Sequence, residues 1–211
     1  MRKGESGCAI NGRCRSVSSR GCLGRRAPES AKPEVVIKDE IEQALGVLVG
    51  LPLAYANRAV DMGTFGFGAE SVQVQRGQPI RIADYRLHVQ EIWRIVRDGA
   101  IVLGYADYFY PPRDSTVRRE DFVARDAPRT RRDDLIDDWS AHEAPGHVVR
   151  EVRGTDAGDL AIVFEDGCTL ETFASSATTD SDGSDEFWRL IPPRVTGREP
   201  QFVVTAHGIE R

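Results

Sequence analysis

The sequence predicts an α+β fold dominated by antiparallel β-sheet, built from two related halves behind one amphipathic N-terminal helix. Three observations carry this. A block Glu91-Ile92-Trp93-Arg94-Ile95-Val96 returns 95 positions later as Glu186-Phe187-Trp188-Arg189-Leu190-Ile191, with Glu, Trp and Arg at the same spacing and the other positions apolar. Tyr85, Leu87 and Val89 alternate with Arg86, His88 and Gln90 just before the first block, the period-two pattern of a half-buried strand. Asp98-Gly99 and Asp166-Gly167 each stand between apolar runs, where a two-residue hairpin turn is expected.

The repeat extends outward from its centre, the behaviour expected of an internal duplication. Residues 61–67 face 159–164 upstream, and 100–104 face 202–206 downstream. The offsets drift, so loops of unequal length separate the matched elements; closure entropy rises slowly with loop length and tolerates this. A unit of roughly 50 to 60 residues rarely builds an adequate core alone. Residues 34–211 are therefore expected to form one compact body: the helix and first β repeat over 34–110, a polar connector with a short helix over 111–146, and the second β repeat over 147–211.

The first 33 residues hold eight Lys/Arg and two Glu with almost no periodic apolar residues, so burial cannot offset their ordering entropy and a disordered basic leader is expected. The chain uses 25 Arg against 3 Lys, a bias that also suits an over-called start in GC-rich coding sequence. Residues 34–211 carry twenty Lys/Arg and thirty-one Asp/Glu, a net charge of −11. That acidity argues against nucleic acid binding by the body. No apolar run is long enough for a membrane span, and a cytoplasmic location is expected. Three of the four cysteines, Cys8, Cys14 and Cys22, lie in the leader at spacings that fit neither a zinc nor a redox motif; Cys168 reads as a small buried hydrophobe.

Ile41, Leu45, Leu48 and Val49 recur at helical spacing behind Asp39, Glu40 and Glu42, and Gly50 and Pro52 end the helix. Residues 51–59 are ambiguous, 62–68 suggest a strand rich in glycine, and 70–80 read as polar and Gly/Pro-punctuated. A hairpin follows, 93–97 and 100–108 across Asp98-Gly99. The connector 111–132, with seven arginines, reads as solvated. Leu135, Ile136 and Trp139 predict a short helix from Asp133, and strands are expected at 147–152, 160–164 and 168–173.

Motifs of known chemistry fail on spacing. His142 and His147 lie five apart around Pro145-Gly146, whereas a zinc-protease helix needs four. The acidic stretch 180–186 lacks the glycine register of a calcium loop. Gly63, Gly66 and Gly68 form no dinucleotide fingerprint, and neither a G-x-S-x-G elbow nor a P-loop is present. No catalytic residue, metal or cofactor is expected from these patterns.

The repeated block carries the candidate site. Arg94 and Arg189 would be flanked by aliphatic neighbours and need carboxylate partners, Asp61 or Asp107 in one half and Asp159 or Glu171 in the other. Glu91, Glu186, Asp61 and Asp159 are thus read as structural members of the repeat. The functional reading makes Trp93, Arg94, Trp188 and Arg189 paired anion or peptide sites, with His88 converging on them in a cleft between the halves.

Leu51-Pro52-Leu53, Arg58-Ala59-Val60-Asp61-Met62, Phe65-Gly66-Phe67-Gly68, Leu87-His88-Val89-Gln90, Trp93-Arg94, Phe164-Glu165-Asp166-Gly167, Leu170-Glu171, Glu186-Phe187-Trp188-Arg189-Leu190 and Gly208-Ile209-Glu210 together resemble a family of small, uncharacterised bacterial proteins. Small acidic cytosolic proteins of this kind are similar to immunity proteins that neutralise toxins. The resemblance implies a non-enzymatic binding protein, with a basic protein such as a toxin as its partner; a small-ligand carrier or enzyme using the cleft is the alternative.

Overall fold

The computed structural model describes residues 37–75, 77–141, 146–176, 186–193 and 200–211. The leader, the acidic loop 180–185 and residues 142–145 of the histidine segment lie outside them. Helix α1 (Ile37–Leu45) starts with Asp39 and Glu40 in its first turn, where the helix dipole favours anions, and buries Ile41 and Leu45. A 3-10 turn, Gly46–Leu48, extends the apolar stripe to Leu48 before Gly50, at φ +84°, turns the chain.

Strands β1 (Leu53–Ala59), β2 (Met62–Gln75) and β3 (Gln78–Val89) follow as an antiparallel meander. The stretch 70–80, expected as an irregular loop, is a paired ribbon: Ser71 faces Ile82 and Gln73 faces Ile80, and alternation of Val72 and Val74 with polar residues outweighs the breakers Gly77 and Pro79. Strands β4 (Ile92–Arg97) and β5 (Ala100–Gly104) meet at the predicted turn, with Asp98 at φ +51° and Gly99 at φ +77°. Strand β5 stops sooner than predicted because the Asp107 carboxylate accepts the Gly104 N–H at 2.9 Å and 105–109 coil into a 3-10 turn.

Helix α2 (Arg131–Ala141) precedes β6 (Val149–Gly154), β7 (Leu160–Phe164), β8 (Thr169–Phe173), β9 (Glu186–Ile191), β10 (Phe202–Thr205) and β11 (Gly208–Glu210). The connector ahead of α2 is less solvated than expected. Thr130 and Arg132 are fully buried, and the Arg132 guanidinium lies over the Tyr108 and Trp93 rings. No helix among the described residues is long and apolar enough to cross a membrane.

Two antiparallel sheets result, ordered β1-β2-β3-β9-β10-β11 and β5-β4-β8-β7-β6. The chain changes sheet between β3 and β4 and again between β8 and β9, so the first predicted half places three strands in one sheet and two in the other, and the second places three in each. Exchanging β1–β5 with β6–β10 carries the order β1-β2-β3-β9-β10 onto β6-β7-β8-β4-β5, which is the five-stranded sheet read from its other edge. Each helix precedes the first strand of its own half and packs on the first strand of the other, α1 on β6 and α2 on β1. Where the halves meet, Leu53 N–H donates to the His147 carbonyl (2.8 Å) and Val149 N–H to the Leu51 carbonyl (2.9 Å); shifting either bond by 96 positions produces the other.

One hydrophobic core lies between the sheets. Phe65, Phe67, Leu87, Trp188 and Leu190 come from one sheet, Trp93, Ile95, Ile162, Phe164 and Leu170 from the other, and α1 and α2 add Ile41, Leu45, Ile136 and Trp139. Phe65 meets Trp93 edge-on at 5.1 Å, joining the layers.

Candidate functional site

Alternation along a strand sends neighbouring side chains to opposite faces, and this decides the fate of the repeated block. Trp93 and Trp188 are each only 1% exposed and belong to the core. They line no binding surface. Arg94 and Arg189 therefore point outward, each from the opposite sheet, and do not converge. Arg94 pairs with Glu171, its neighbour across the strand, at 2.6 Å, with its guanidinium over the Phe173 ring at 4.8 Å. Arg189 pairs with Glu186 of its own strand and with Gln201. Of the expected partners Glu171 binds an arginine of the repeat, though Arg94 and not Arg189; Asp61 offers its backbone carbonyl to Arg132, Asp107 accepts the Gly104 N–H, and Asp159 accepts the Ala174 N–H and the Thr155 hydroxyl. Glu91 accepts hydrogen bonds from Ser175 and Ser176.

His88 stands in the more informative place. It faces Arg189 across the β3–β9 pair, the position that Glu171 holds opposite Arg94. There a carboxylate neutralises the arginine; here an imidazole sits beside it. Burial lowers the His88 pKa below its usual value, and Arg86 and Arg189 press it further down. His88 opens into a groove of about 680 Å³, within the usual range for small-molecule sites.

The groove belongs to β1, β2 and β3 alone, and does not run between the halves. Beyond Phe67, strand β2 carries an extra residue: Gly68 takes φ +86°, the Ala69 N–H donates to the Asp84 carboxylate at 2.9 Å, and pairing resumes at Glu70. Such a bulge bends and twists the ribbon. The distal arm thus contributes Ile80 and Ile82, which alternate onto the face of β3 that carries Arg86 and His88, and the lining also takes in Val74, Tyr55 and Thr64. Tyr55 lies over Gly66, where an added Cβ would come within 2.4 Å of its ring.

Arg58, Arg81 and Arg86 line this groove against one carboxylate, Glu70. Arg58 is held by Asp133 at 2.7 Å, a carboxyl that burial would raise but that hydrogen bonds from Arg58 and Thr130 hold low. Arg81 is largely exposed and touches Glu70 at 3.4 Å. Sequence reasoning found His88 through its strand alternation. It missed Arg81 and Glu70 because the arm was read as a loop, where the signal was the alternation Val72/Val74 and Ile80/Ile82, and Arg58 because 51–59 were ambiguous.

A second cluster lies in the other half. His147 and Asp166 approach at 2.8 Å through Nδ1 and Oδ2, and the imidazole stacks on Trp139 at 4.1 Å. Arg97 donates to Asp166 at 2.8 Å and to Cys168 Sγ at 3.1 Å, and Trp139 Nε1 donates to the same sulfur at 3.5 Å. Cys168 is fully buried, as predicted, but as a hydrogen-bonded group; burial pushes its thiol pKa up. Burial also works to raise Asp166, and its hydrogen bonds from Cys168, Arg97 and His147 outweigh that and keep it low. The ligating atoms of His147, Asp166 and Cys168 all lie within 4.8 Å of one another, the one such group among the described residues.

No family model, curated protein or solved structure matches the chain.

Proposed function

We propose that this is a non-enzymatic binding protein whose groove on the six-stranded sheet takes a small amphipathic carboxylate. The observation that carries the reading is the charge reversal at the groove: a body of net charge −11 lines this concavity with three arginines, one of them held by Asp133, a histidine and a single glutamate. Burial and focusing in a concave surface strengthen such a field. Ile80 and Ile82 suit a hydrocarbon tail, and Arg86 with His88 on the same face of β3 suits the head group, with the exposed Arg81 also in the lining.

The same reading takes the fold as an internal duplication with exchanged strands, supported by the matching strand orders and the reciprocal Leu53–His147 and Val149–Leu51 bonds. The groove then arises where the halves differ, at the elongated arm of the first half. The other reading, an immunity-type inhibitor of a basic toxin, draws on the acidic body. The acidic face of α2 that it would use is already occupied, Asp134 and Asp137 by Arg129 and Asp138 by Arg113.

Calorimetric titration with medium-chain alkyl carboxylates and their uncharged amide isosteres tests the proposal. Carboxylates should bind and amides should not. Arg81→Gln should weaken binding roughly tenfold, the worth of one charged hydrogen bond, while leaving the melting temperature unchanged because its Glu70 contact is solvent-exposed. A bound anion favours protonated His88, whose pKa in the free protein lies below 6.5. Binding therefore takes up a proton, and affinity should rise as pH falls from about 6.5, a slope that His88→Gln removes. Equal binding of amides and carboxylates would overturn the reading.

A further inference from the structure

We propose that His147, Asp166 and Cys168 form a binding site for a soft divalent cation of the zinc class. An imidazole nitrogen, a carboxylate oxygen and a thiol sulfur within 4.8 Å are a donor set that selects zinc over magnesium or calcium. The inference is independent of the groove and stands or falls without it.

The backbone holds all three donors firmly. Asp166 and Cys168 flank Gly167, at φ +84°, in the tight β7–β8 turn; Phe164 N–H donates to the Cys168 carbonyl at 2.9 Å, and the Asp166 carboxylate caps the Cys168 N–H at 3.1 Å. His147 is fixed by its stacking on Trp139 and by its carbonyl, which accepts the Leu53 N–H.

Two features of the hydrogen bonding point to a cation. The first is the histidine ring. Its Nε2 faces the Trp139 carbonyl at 3.3 Å and its Nδ1 faces Asp166 Oδ2 at 2.8 Å, so both nitrogens meet oxygen acceptors. A neutral ring has one N–H and must set its lone pair against one of them. With the N–H on Nε2, the Nδ1 lone pair points at the Asp166 carboxylate, and a metal ion held between them removes the conflict. A ligating histidine that donates its other N–H to a backbone carbonyl is the usual supporting arrangement. The second feature is the sulfur, which receives N–H groups from both Arg97 and Trp139. These two donors would offset the negative charge of the thiolate that metal binding creates.

Arg97 is the resident counter-cation, bonded to Asp166 and Cys168 together. Its side chain is 30% exposed, so it has a path to water. A zinc ion with one thiolate and one carboxylate is itself a neutral group, and the guanidinium then becomes a competitor for the same two ligands.

The test uses the full chain with Cys8→Ser, Cys14→Ser and Cys22→Ser, which leaves Cys168 as its single cysteine. Cobalt(II) titration should give a one-to-one complex with sulfur-to-metal charge-transfer absorption, displaced by zinc. Cys168→Ser should abolish that band and weaken zinc binding by at least the ~10- to 100-fold that loss of a supporting group costs. Arg97→Met should tighten it about tenfold by removing the competitor, the equivalent of one charged contact. Variants are melted first in EDTA to establish folding. X-ray absorption at the zinc edge of the chain with Cys168 intact gives a readout that needs no change at the site: one sulfur neighbour at about 2.3 Å is expected. A zinc shell of nitrogen and oxygen only, no stoichiometric cobalt complex, or equal zinc affinity in Cys168→Ser overturns the site.

Discussion

Arg132 is a cation that the fold buries without a carboxylate of its own. It is 0% exposed, donates to the Asp61 carbonyl at 2.8 Å and the Val60 carbonyl at 3.1 Å, and burial, with Arg58 nearby, lowers its pKa to about 10. Asp133, whose charge acts on it, is bonded to Arg58 and Thr130. Its role is to hold the β1–β2 turn, where the β-branched Val60 sits at φ +59°, a conformation that costs on the order of 1–3 kcal/mol. Arg132→Met keeps much of the apolar volume but strands the Asp61 carbonyl and leaves the Val60 carbonyl with only its 3.3 Å bond from Arg58, so urea unfolding should show a loss of about 1–3 kcal/mol. Arg132→Lys should recover little, since one ammonium cannot reproduce the planar fork. A neutral Arg132→Met would show that the turn holds itself. None of this was legible in a connector with seven arginines, because burial of one among seven depends on where Tyr108 and Trp93 come to lie. The opposite holds for the repeated Trp-Arg pair: adjacent strand residues face opposite ways, so the sequence itself already separated Trp93 from Arg94.

At the scale of elements, the arm is the feature that makes a surface into a site. Strand β1 pairs with β2 only as far as Phe67, and β9 pairs with β3 only over 86–89. Beyond those points the ribbon has no further paired strand among the described residues, and its direction rests on the bulge at Gly68. A Cβ there would sit 2.8 Å from Asp84 Oδ2 at a φ that side chains rarely adopt. Gly68→Ala should therefore cost about 1–3 kcal/mol and weaken carboxylate binding by turning the arm. Gly77→Ala is the matched control. It also has positive φ, but its Cβ meets open space at the tip, so it should strain the turn and leave groove affinity intact. Equal loss of affinity in both would mean that general fraying, and not the bulge angle, governs the groove. Sequence reasoning lost this element because Gly68, Gly77 and Pro79 read as breakers, although Pro79 lies where the ribbon needs no further N–H donor on its outer edge.

At the scale of the whole molecule, the repeated block was visible in the sequence but the placing of its strands in different sheets was not. Similarity between Trp93 and Trp188 says that both are core; it does not say which sheet each strand joins, because strand pairing is a long-range choice. That choice has a measurable consequence. The six-stranded sheet is joined by β3 pairing with β9, Leu87 against Leu190 and Val89 against Trp188, and the five-stranded sheet by β4 pairing with β8, Ile95 against Leu170. A chain cut in the exposed connector between Val117 and Arg118 leaves either fragment with two incomplete sheets and an open core. Trp93 in one fragment and Trp188 in the other would meet water, a loss of several kcal/mol for each large buried aromatic. Fragments 1–117 and 118–211 should each lack a cooperative unfolding transition and near-ultraviolet tryptophan dichroism. Co-expressed, they should form a one-to-one complex with both signals restored. Two tandem domains behave differently: each would fold alone and mixing would change nothing. A cooperative transition in fragment 1–117 by itself would mean that β1–β5 hold a core without β9, and that the strands paired between the fragments are an accessory to the fold and not its closure.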